Sequence, residues 1–538
     1  MNTTIIILYS LVAVLALANL WLEMRRDLMM LQQNSYRNER YTRWLKSSAD
    51  TTSGWRLGGL VVFFICLFPM ATHNAAMLLV ALFCGWHSGA LLRAGQQYKL
   101  PLKTTPRVMR LQGAFIALWA ILSAAVLALA GCFGSADIAE TIYVGTATAL
   151  GLYCASHIMV MASNTLLRPW EKAINRRYYN DAAARLAAMP ELKVIGVTGS
   201  YGKTTTKHYL YRILSEEFDT LMTPGSYNTT LGVVRTVREM LKPYHQVFIC
   251  EMGAKQNGDI REICELVHPT AGIITAVGPQ HLESFKTIEN VQATKFELAD
   301  AIPTDGLVLV NNDFEKIADR PVENCRAERY AVEHPEGADW VAENVHYTPR
   351  GSSFTARRTS DGHTIALTTK LVGACNISNL LAATAMAKHL GMSDEKIRRA
   401  VENIEQVEHR LAVKRIPGGM TILDDAFNSN PVGSGMALDV LAGMPGKRVL
   451  VTPGMIELGS QQYELNERLG EHAASCCDVA IVVGHYNREA ITEGLRKGGK
   501  TEGVHTVETF AEAQALLRTL AGAGDTVLYE NDLPDTFK

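Results

Sequence analysis

Residues 193–205 read KVIGVTGSYGKTT, and this stretch decides the fold of the larger part of the chain. Lys193–Thr198 is short, apolar and β-branched, which predicts a strand buried on both faces. A glycine-rich turn follows, then Lys203-Thr204-Thr205. Leu210, Ile213, Leu214 and Phe218 then recur at helical spacing. Strand, glycine-rich turn, Lys-Thr and helix in that order place backbone N–H groups and a helix N-terminus against an anion. The Lys203 ammonium can reach terminal phosphates, and the Thr204 hydroxyl can ligate Mg²⁺. The strict GxxxxGK[ST] pattern fails at its first position, where Val197 stands.

Strands are expected downstream at Val247–Cys250, Gly272–Ala276 and Leu307–Val310, separated by helical stretches. Such alternation implies a largely parallel sheet covered on both faces. A second α/β unit is expected from 411, with strands Thr421–Leu423, Val449–Thr452, Val479–Val483 and Thr526–Tyr529. Pro417-Gly418-Gly419 suits a hinge.

Upstream the composition changes. Apolar runs cover 4–22, 57–72, 75–92, 112–133 and 141–163. A membrane-spanning helix needs about 20 such residues. The first, fourth and fifth runs fit; the second and third share the connector Thr72-His73-Asn74 and suit a tight or re-entrant pair. Lys and Arg gather in 23–56 (Arg25, Arg26, Arg37, Arg40, Arg43, Lys46, Arg56), in 93–111 and just after 163, while the connectors 72–74 and 134–140 have none. With five spans all three basic loops share the cytoplasmic side, as does everything after 163. No carboxylate or Lys falls mid-run, and His87 and His157 are read as polar tips near helix ends. Residues 164–192 read as a basic amphipathic helical linker. The expected architecture is an α-helical transmembrane region, 1–163, a linker, 164–192, and two α/β domains, 193–410 and 411–538.

The net charge of −2 gives no reason to expect nucleic acid as a partner. The 10 cysteines have no zinc-site or disulfide spacing and suit reduced, buried thiols.

Several strings now fall in order. TGSYGKTT is followed by Asn228-Thr229-Thr230-Leu231-Gly232, by Glu251-Met252-Gly253-Ala254 with Asn257-Gly258-Asp259-Ile260, and by His281-Leu282-Glu283-Ser284-Phe285. Lys295-Phe296-Glu297, Gly373-Ala374-Cys375-Asn376 through Asn379, and His409-Arg410-Leu411 come next. Asp424-Asp425-Ala426-Phe427-Asn428-Ser429-Asn430-Pro431 and Met455-Ile456-Glu457-Leu458-Gly459 close the series. In this order the chain resembles the Mur ligases, most closely their D-alanyl-D-alanine-adding branch. The resemblance implies a P-loop central domain and a Rossmann-like C-terminal domain. It implies an ATP- and Mg²⁺-dependent ligase that joins a carboxylate to an amine through an acyl phosphate. It assigns ATP to Thr198, Gly199, Ser200, Gly202, Lys203, Thr204, Thr205, Asn376, Asn379, Arg410, Asp425 and Asn428. It assigns metal to Thr204, Glu251, His281 and a carbamylated Lys295, and catalysis to Lys203, His281, Lys295 and Arg410.

Three departures stand out, the first bearing on the nucleotide and the other two on substrate. Cys375 stands where the family has His beside the adenine. The family's UDP-sugar domain is replaced by the apolar region. Its C-terminal K-G-S-R stretch gives way to Tyr529-Glu530-Asn531-Asp532. An acceptor at the bacterial cytoplasmic membrane is therefore expected, such as a lipid-linked cell-wall precursor or a growing polymer, with an amino acid or dipeptide as amine. A poly-γ-glutamate-type polymer ligase is the alternative within this class. A membrane transporter or signalling protein driven by a P-loop NTPase is the alternative outside it.

Overall fold

The computed structural model describes residues 3–67, 72–95, 98, 100–133, 137–416 and 419–533. Pro417 and Gly418 of the expected hinge, residues 134–136 of one connector and residues 68–71 of the second apolar run lie outside them. Two compact units divide the chain, one up to Asn175 and one over Arg176–Leu533.

The first unit is helical: Thr3–Gln33, Asn38–Ser47, Gly54–Leu67, His73–Gly95, Pro106–Phe133, Ile138–Cys154 and the start of Ser156–Ala187. Helices suit lipid because every backbone polar group is satisfied within the segment. Thr3–Gln33, His73–Gly95 and Pro106–Gly131 are long and apolar enough to cross a membrane. Against the five spans expected, the described residues hold these three, or four if the bent pair Ile138–Cys154 and Ser156–Ala187 is one span. Among the described residues Gly54–Leu67 has 14 residues, ~21 Å of helix. The fifth run is broken at Ala155 into two helices bent by 76°.

Buried charge explains the break. Thr3–Gln33 runs past residue 22 and buries Glu23 and Asp27 at 1% and 0% exposure. Arg56 reaches both, with Nη2 2.9 Å from Glu23 Oε1 and 3.0 Å from Asp27 Oδ1. Its Nε donates to Asp50 Oδ2 at 3.1 Å. Its Nη1 donates to the Tyr153 and Cys154 carbonyls, both at 3.4 Å, and to Ser156 Oγ at 3.2 Å. A helix end leaves carbonyls without partners, and here one guanidinium serves them. His87 is no polar tip: it is buried, with Nδ1 2.9 Å from Asn19 Oδ1.

The second unit contains two sheets. The first comprises β1 (Lys193–Thr198), β2 (Thr220–Met222), β3 (Val247–Glu251), β4 (Ala271–Ile274), β5 (Leu307–Asn311), β6 (Arg326–Ala331), β7 (Trp340–Thr348), β8 (Gly351–Arg358) and β9 (Thr364–Thr369). Its order is β2-β3-β1-β4-β5-β6-β7-β8-β9. Pairing is parallel as far as β7 and antiparallel through β8 and β9. The second comprises β10 (Ala412–Arg415), β11 (Thr421–Asp425), β12 (Arg448–Thr452), β13 (Val479–Val483), β14 (Val504–Val507) and β15 (Thr526–Glu530). Its order is β10-β11-β15-β12-β13-β14, with only β10 antiparallel.

Every central strand expected from the sequence is present. β9, not anticipated, buries alternate residues, so it lacks the continuous apolar run of a strand covered on both faces. The phosphate-loop helix, Lys203–Leu214, buries Tyr209, Leu210, Ile213 and Leu214 against the helix Ala374–His389 and the sheet. It stops at Leu214, so Phe218 packs on that core from the turn beyond.

Candidate active site

The loop after β1 has its shape because two positions admit only glycine. Gly199 has φ +149°, and a Cβ there would lie 2.1 Å from Thr275 Oγ1. Gly202 has φ +77°, and its Cβ would meet Asn379 Oδ1 at 2.6 Å. Both angles lie where side chains are disfavoured. Thr198 Oγ1 donates to Met252 O at 2.8 Å, and Ser200 Oγ donates to Gly278 O at 3.1 Å, so these two side chains tie the loop to its neighbours. Thr205 is buried at the start of the helix. Lys203 Nζ donates to Gly199 O at 2.6 Å and Ser200 O at 3.0 Å. Burial, reinforced by Arg410, pulls its ammonium down to about 8.

Glu251 ends β3 at 1% exposure. Its Oε1 accepts from Thr204 Oγ1 at 3.1 Å and from Asn228 Nδ2 at 3.0 Å. Lys207 Nζ lies 3.0 Å from Oε2 and also donates to Gly225 O at 2.6 Å. Burial alone would raise the Glu251 carboxyl, but Lys207 and Lys203 outweigh it and hold the group below its ordinary value. Lys207 was missed in the sequence. Its one signal is its place a helical turn after Lys203, on the same face.

Lys295 sits on the helix Ile288–Ala301 at 2% exposure. Burial, then the Lys203 charge, push it well below the ordinary lysine value. A neutral amine is the form that can add CO₂. Glu297, two residues on, accepts from Gly258 N at 2.7 Å and Arg261 N at 2.9 Å, so it caps the helix Asp259–Val267. His281 precedes a short helical turn with φ +53°, and its Nδ1 contacts Glu457 Oε2. Burial lowers this imidazole, against the pull of Glu457. A hydroxyl, a carboxylate and an imidazole, beside a lysine able to become an anionic carbamate, fit a hard divalent cation.

The two asparagines of the helix Ala374–His389 bond to the phosphate-loop helix. Asn376 is 3% exposed; its Oδ1 accepts from Tyr209 OH at 2.7 Å and its Nδ2 donates to Val372 O at 2.8 Å. Asn379 Oδ1 accepts from Thr206 Oγ1 at 3.0 Å. Both amides hold the phosphate-loop helix, because burial demands protein partners for them. Cys375 packs against the core of the second sheet.

Arg410 lies between two left-handed residues, His409 at φ +57° and Leu411 at φ +51°. The Arg410 guanidinium carbon lies 4.2 Å from the Phe427 ring centroid. Asp425 Oδ1 accepts from Leu411 N at 2.9 Å. Burial raises the Asp425 carboxyl to about 6, and burial with Asp425 raises that of Glu530 well above its usual range. Asn428 is partly exposed on the loop after β11, and Asn430 caps the next helix by accepting from Gly433 N at 2.8 Å. A cleft of about 640 Å³ opens among Pro279, Leu282, Glu283, Lys286, Gly459 and Ser460.

Residues 197–387 match the Mur ligase middle domain, and 409–529 match the Mur ligase glutamate ligase domain. UDP-N-acetylmuramoyl-tripeptide–D-alanyl-D-alanine ligase of Escherichia coli K12 is 30% identical over 347 residues, 64% of this chain and 74% of that protein. The chain belongs to the Mur ligase family. The Mycobacterium tuberculosis H37Rv ligase of the same name is 31% identical over 64% of this chain and 71% of its own length. MurF from Acinetobacter baumannii superposes with a TM-score of 0.61 at 27% identity, covering 66% of this chain and 77% of that one. MurF from Thermotoga maritima, in complex with ADP, gives 0.60 at 25% identity over 66% and 80%. As a Mur ligase the chain is an ATP-dependent enzyme that forms amide bonds, with ATP and Mg²⁺ as its cofactors.

Proposed function

We propose that this Mur ligase is anchored in the bacterial cytoplasmic membrane and serves peptidoglycan or cell-envelope precursor synthesis there. Its acceptor is a carboxylate presented at the cytoplasmic face, such as a lipid-linked precursor. The amine comes from an amino acid or dipeptide, as in the D-alanyl-D-alanine that its relatives' name prints. The observation that carries the reading is one chain joining a Mur ligase core to at least 3 helices long and apolar enough to span.

In this reading the loop 199–205 and the helix N-terminus hold the phosphates of ATP, and Lys203 and Arg410 face the transferring group. Thr204 and Glu251 would hold one magnesium ion, and His281 with carbamylated Lys295 a second; when bound they neutralise phosphate charge. Phosphoryl transfer is mainly positioning and charge neutralisation. A substrate carboxylate oxygen takes the γ-phosphoryl as its bond to the β-phosphate breaks and ADP leaves; the neutral amine nitrogen attacks the acyl carbon, the C–O bond to phosphate breaks, and inorganic phosphate leaves as the nitrogen gives up its proton to solvent. Asp425 and Asn428, on the C-terminal domain, border the same space and help keep water from the acyl phosphate.

The test offers full-length protein in detergent ATP, Mg²⁺ and D-alanyl-D-alanine, with either soluble UDP-muramyl tripeptide or its lipid-linked counterpart. Phosphate release should need both acid and amine, and product mass should show preference for the lipid-linked acid. Efficient use of the soluble acid alone would leave the ligase standing and remove the membrane acceptor.

A further inference from the structure

Two residues in left-handed backbone meet where the two α/β domains of the second unit touch. His281, φ +53°, belongs to the segment after β4; Glu457, φ +63°, belongs to the segment after β12. The His281 Nδ1 and Glu457 Oε2 atoms are in hydrogen-bond contact. Backbone accompanies the side chains: Glu283 N donates to Glu457 O at 3.4 Å. Gly459 lies close enough that a Cβ there would be 3.3 Å from Glu283 N. Lys255 Nζ, 3.6 Å from Glu457 Oε1, fixes the other carboxylate oxygen. Left-handed backbone at non-glycine residues persists only where the surroundings over-determine it, and such residues gather at functional sites.

We infer that Glu457 is a positioning residue for metal binding, acting through His281 across the domain boundary. The inference rests on the reading of His281 as a metal ligand. A neutral imidazole carries its proton on one nitrogen and offers a lone pair on the other. Glu457 accepts the Nδ1 proton, so the lone pair resides on Nε2, the nitrogen left for the ion. A carboxylate in this relation also orients the ring and makes it a better donor. Because the carboxylate comes from the C-terminal domain and the imidazole from the central domain, the ligand reaches its binding form only when the domains meet. Cation binding and domain closure are then one linked equilibrium, and each favours the other. Lys255, from the loop after β3, pairs with Glu457 across the same boundary and thereby favours the closed form.

Mn²⁺ is the probe, counted by electron paramagnetic resonance on full-length protein saturated with a non-hydrolysable ATP analogue. Wild type should bind a tight ion and a second one. Glu457→Ala should weaken only the second, by about 10–100-fold. Glu457→Gln keeps an accepting oxygen for Nδ1–H and should recover most of that loss. A direct ligand would lose as much with Gln as with Ala, so equal losses would overturn the positioning role. The first ion's affinity, unchanged in both variants, reports that the fold is intact. His281→Ala separates the two claims. If it keeps both ions, the reading of His281 as a ligand fails. If it loses the second while Glu457→Ala binds as wild type does, this inference alone is overturned.

Discussion

Charge is buried twice in this chain, and the two burials are built differently. In the helical unit, Arg56 is surrounded by Glu23, Asp27 and Asp50, and its remaining donors reach the carbonyls of a broken helix and a serine hydroxyl. All of its nitrogens have partners on the protein. At the phosphate loop, Glu251 is matched by Lys207, whereas Lys203 rests on two uncharged carbonyls. A phosphate oxygen can replace a carbonyl at no cost in paired charge. The first cluster fixes a shape; the second keeps one cation available for a ligand.

That contrast breaks most readily at Arg56. Arg56→Ala leaves three buried carboxylates facing Arg26 alone, and removing one partner of a buried ionic cluster costs about 3–5 kcal/mol. Thermal unfolding in detergent should show a large loss of stability, with ATP affinity preserved in protein that still folds. An unchanged melting temperature would mean that the cluster holds nothing together. Lys203→Ala should do the reverse: stability close to wild type, and turnover down by about a hundredfold or more, as when a donor to developing charge is deleted. Near-normal ATP-dependent ligation by that variant would take the loop out of the mechanism.

The pH profile sharpens the same distinction. The Lys203 ammonium has its value lowered to about 8, so it is charged below that pH and loses its proton as the pH rises through it. kcat/KM for ATP reports the free enzyme, and should fall by about tenfold per pH unit above that point. A nucleotide-bound phosphate opposes the proton loss, so kcat should hold to higher pH. A flat kcat/KM across that range would deny Lys203 its role in phosphate binding. The smallest effect is expected at Asn228. Asn228→Ala removes one of several partners of Glu251, about 1 kcal/mol, or about fivefold in the Mg²⁺ concentration for half-maximal rate. No change in Mg²⁺ dependence would place Asn228 outside the metal site.

Much of the second unit was legible from its residues. The strand, turn and Lys-Thr of 193–205 announced themselves because a doubly covered parallel strand must be continuously apolar, and because φ at Gly199 and Gly202 excludes side chains. The half-buried strands β7, β8 and β9 were not seen, since polar residues interrupt their apolar ones. That Asn376 and Asn379 bond to Tyr209 and Thr206 was not legible, since burial chose those partners. The helical unit was read as apolar segments alone, and its break at Ala155 followed from a guanidinium about a hundred residues away in sequence.

The sequence by itself determined the phosphate loop, the central strands and the ordered strings of the family, because each depends on local conformation or on a run of neighbouring residues. Tertiary structure decided the pairings: Lys207 with Glu251, Glu457 with His281, and Arg56 with three acids and a broken helix end. Such partners lie far apart along the chain, and only packing selects which charged side chains share the same dry space. Once they share it, the high cost of an unpaired buried charge makes each pairing obligatory.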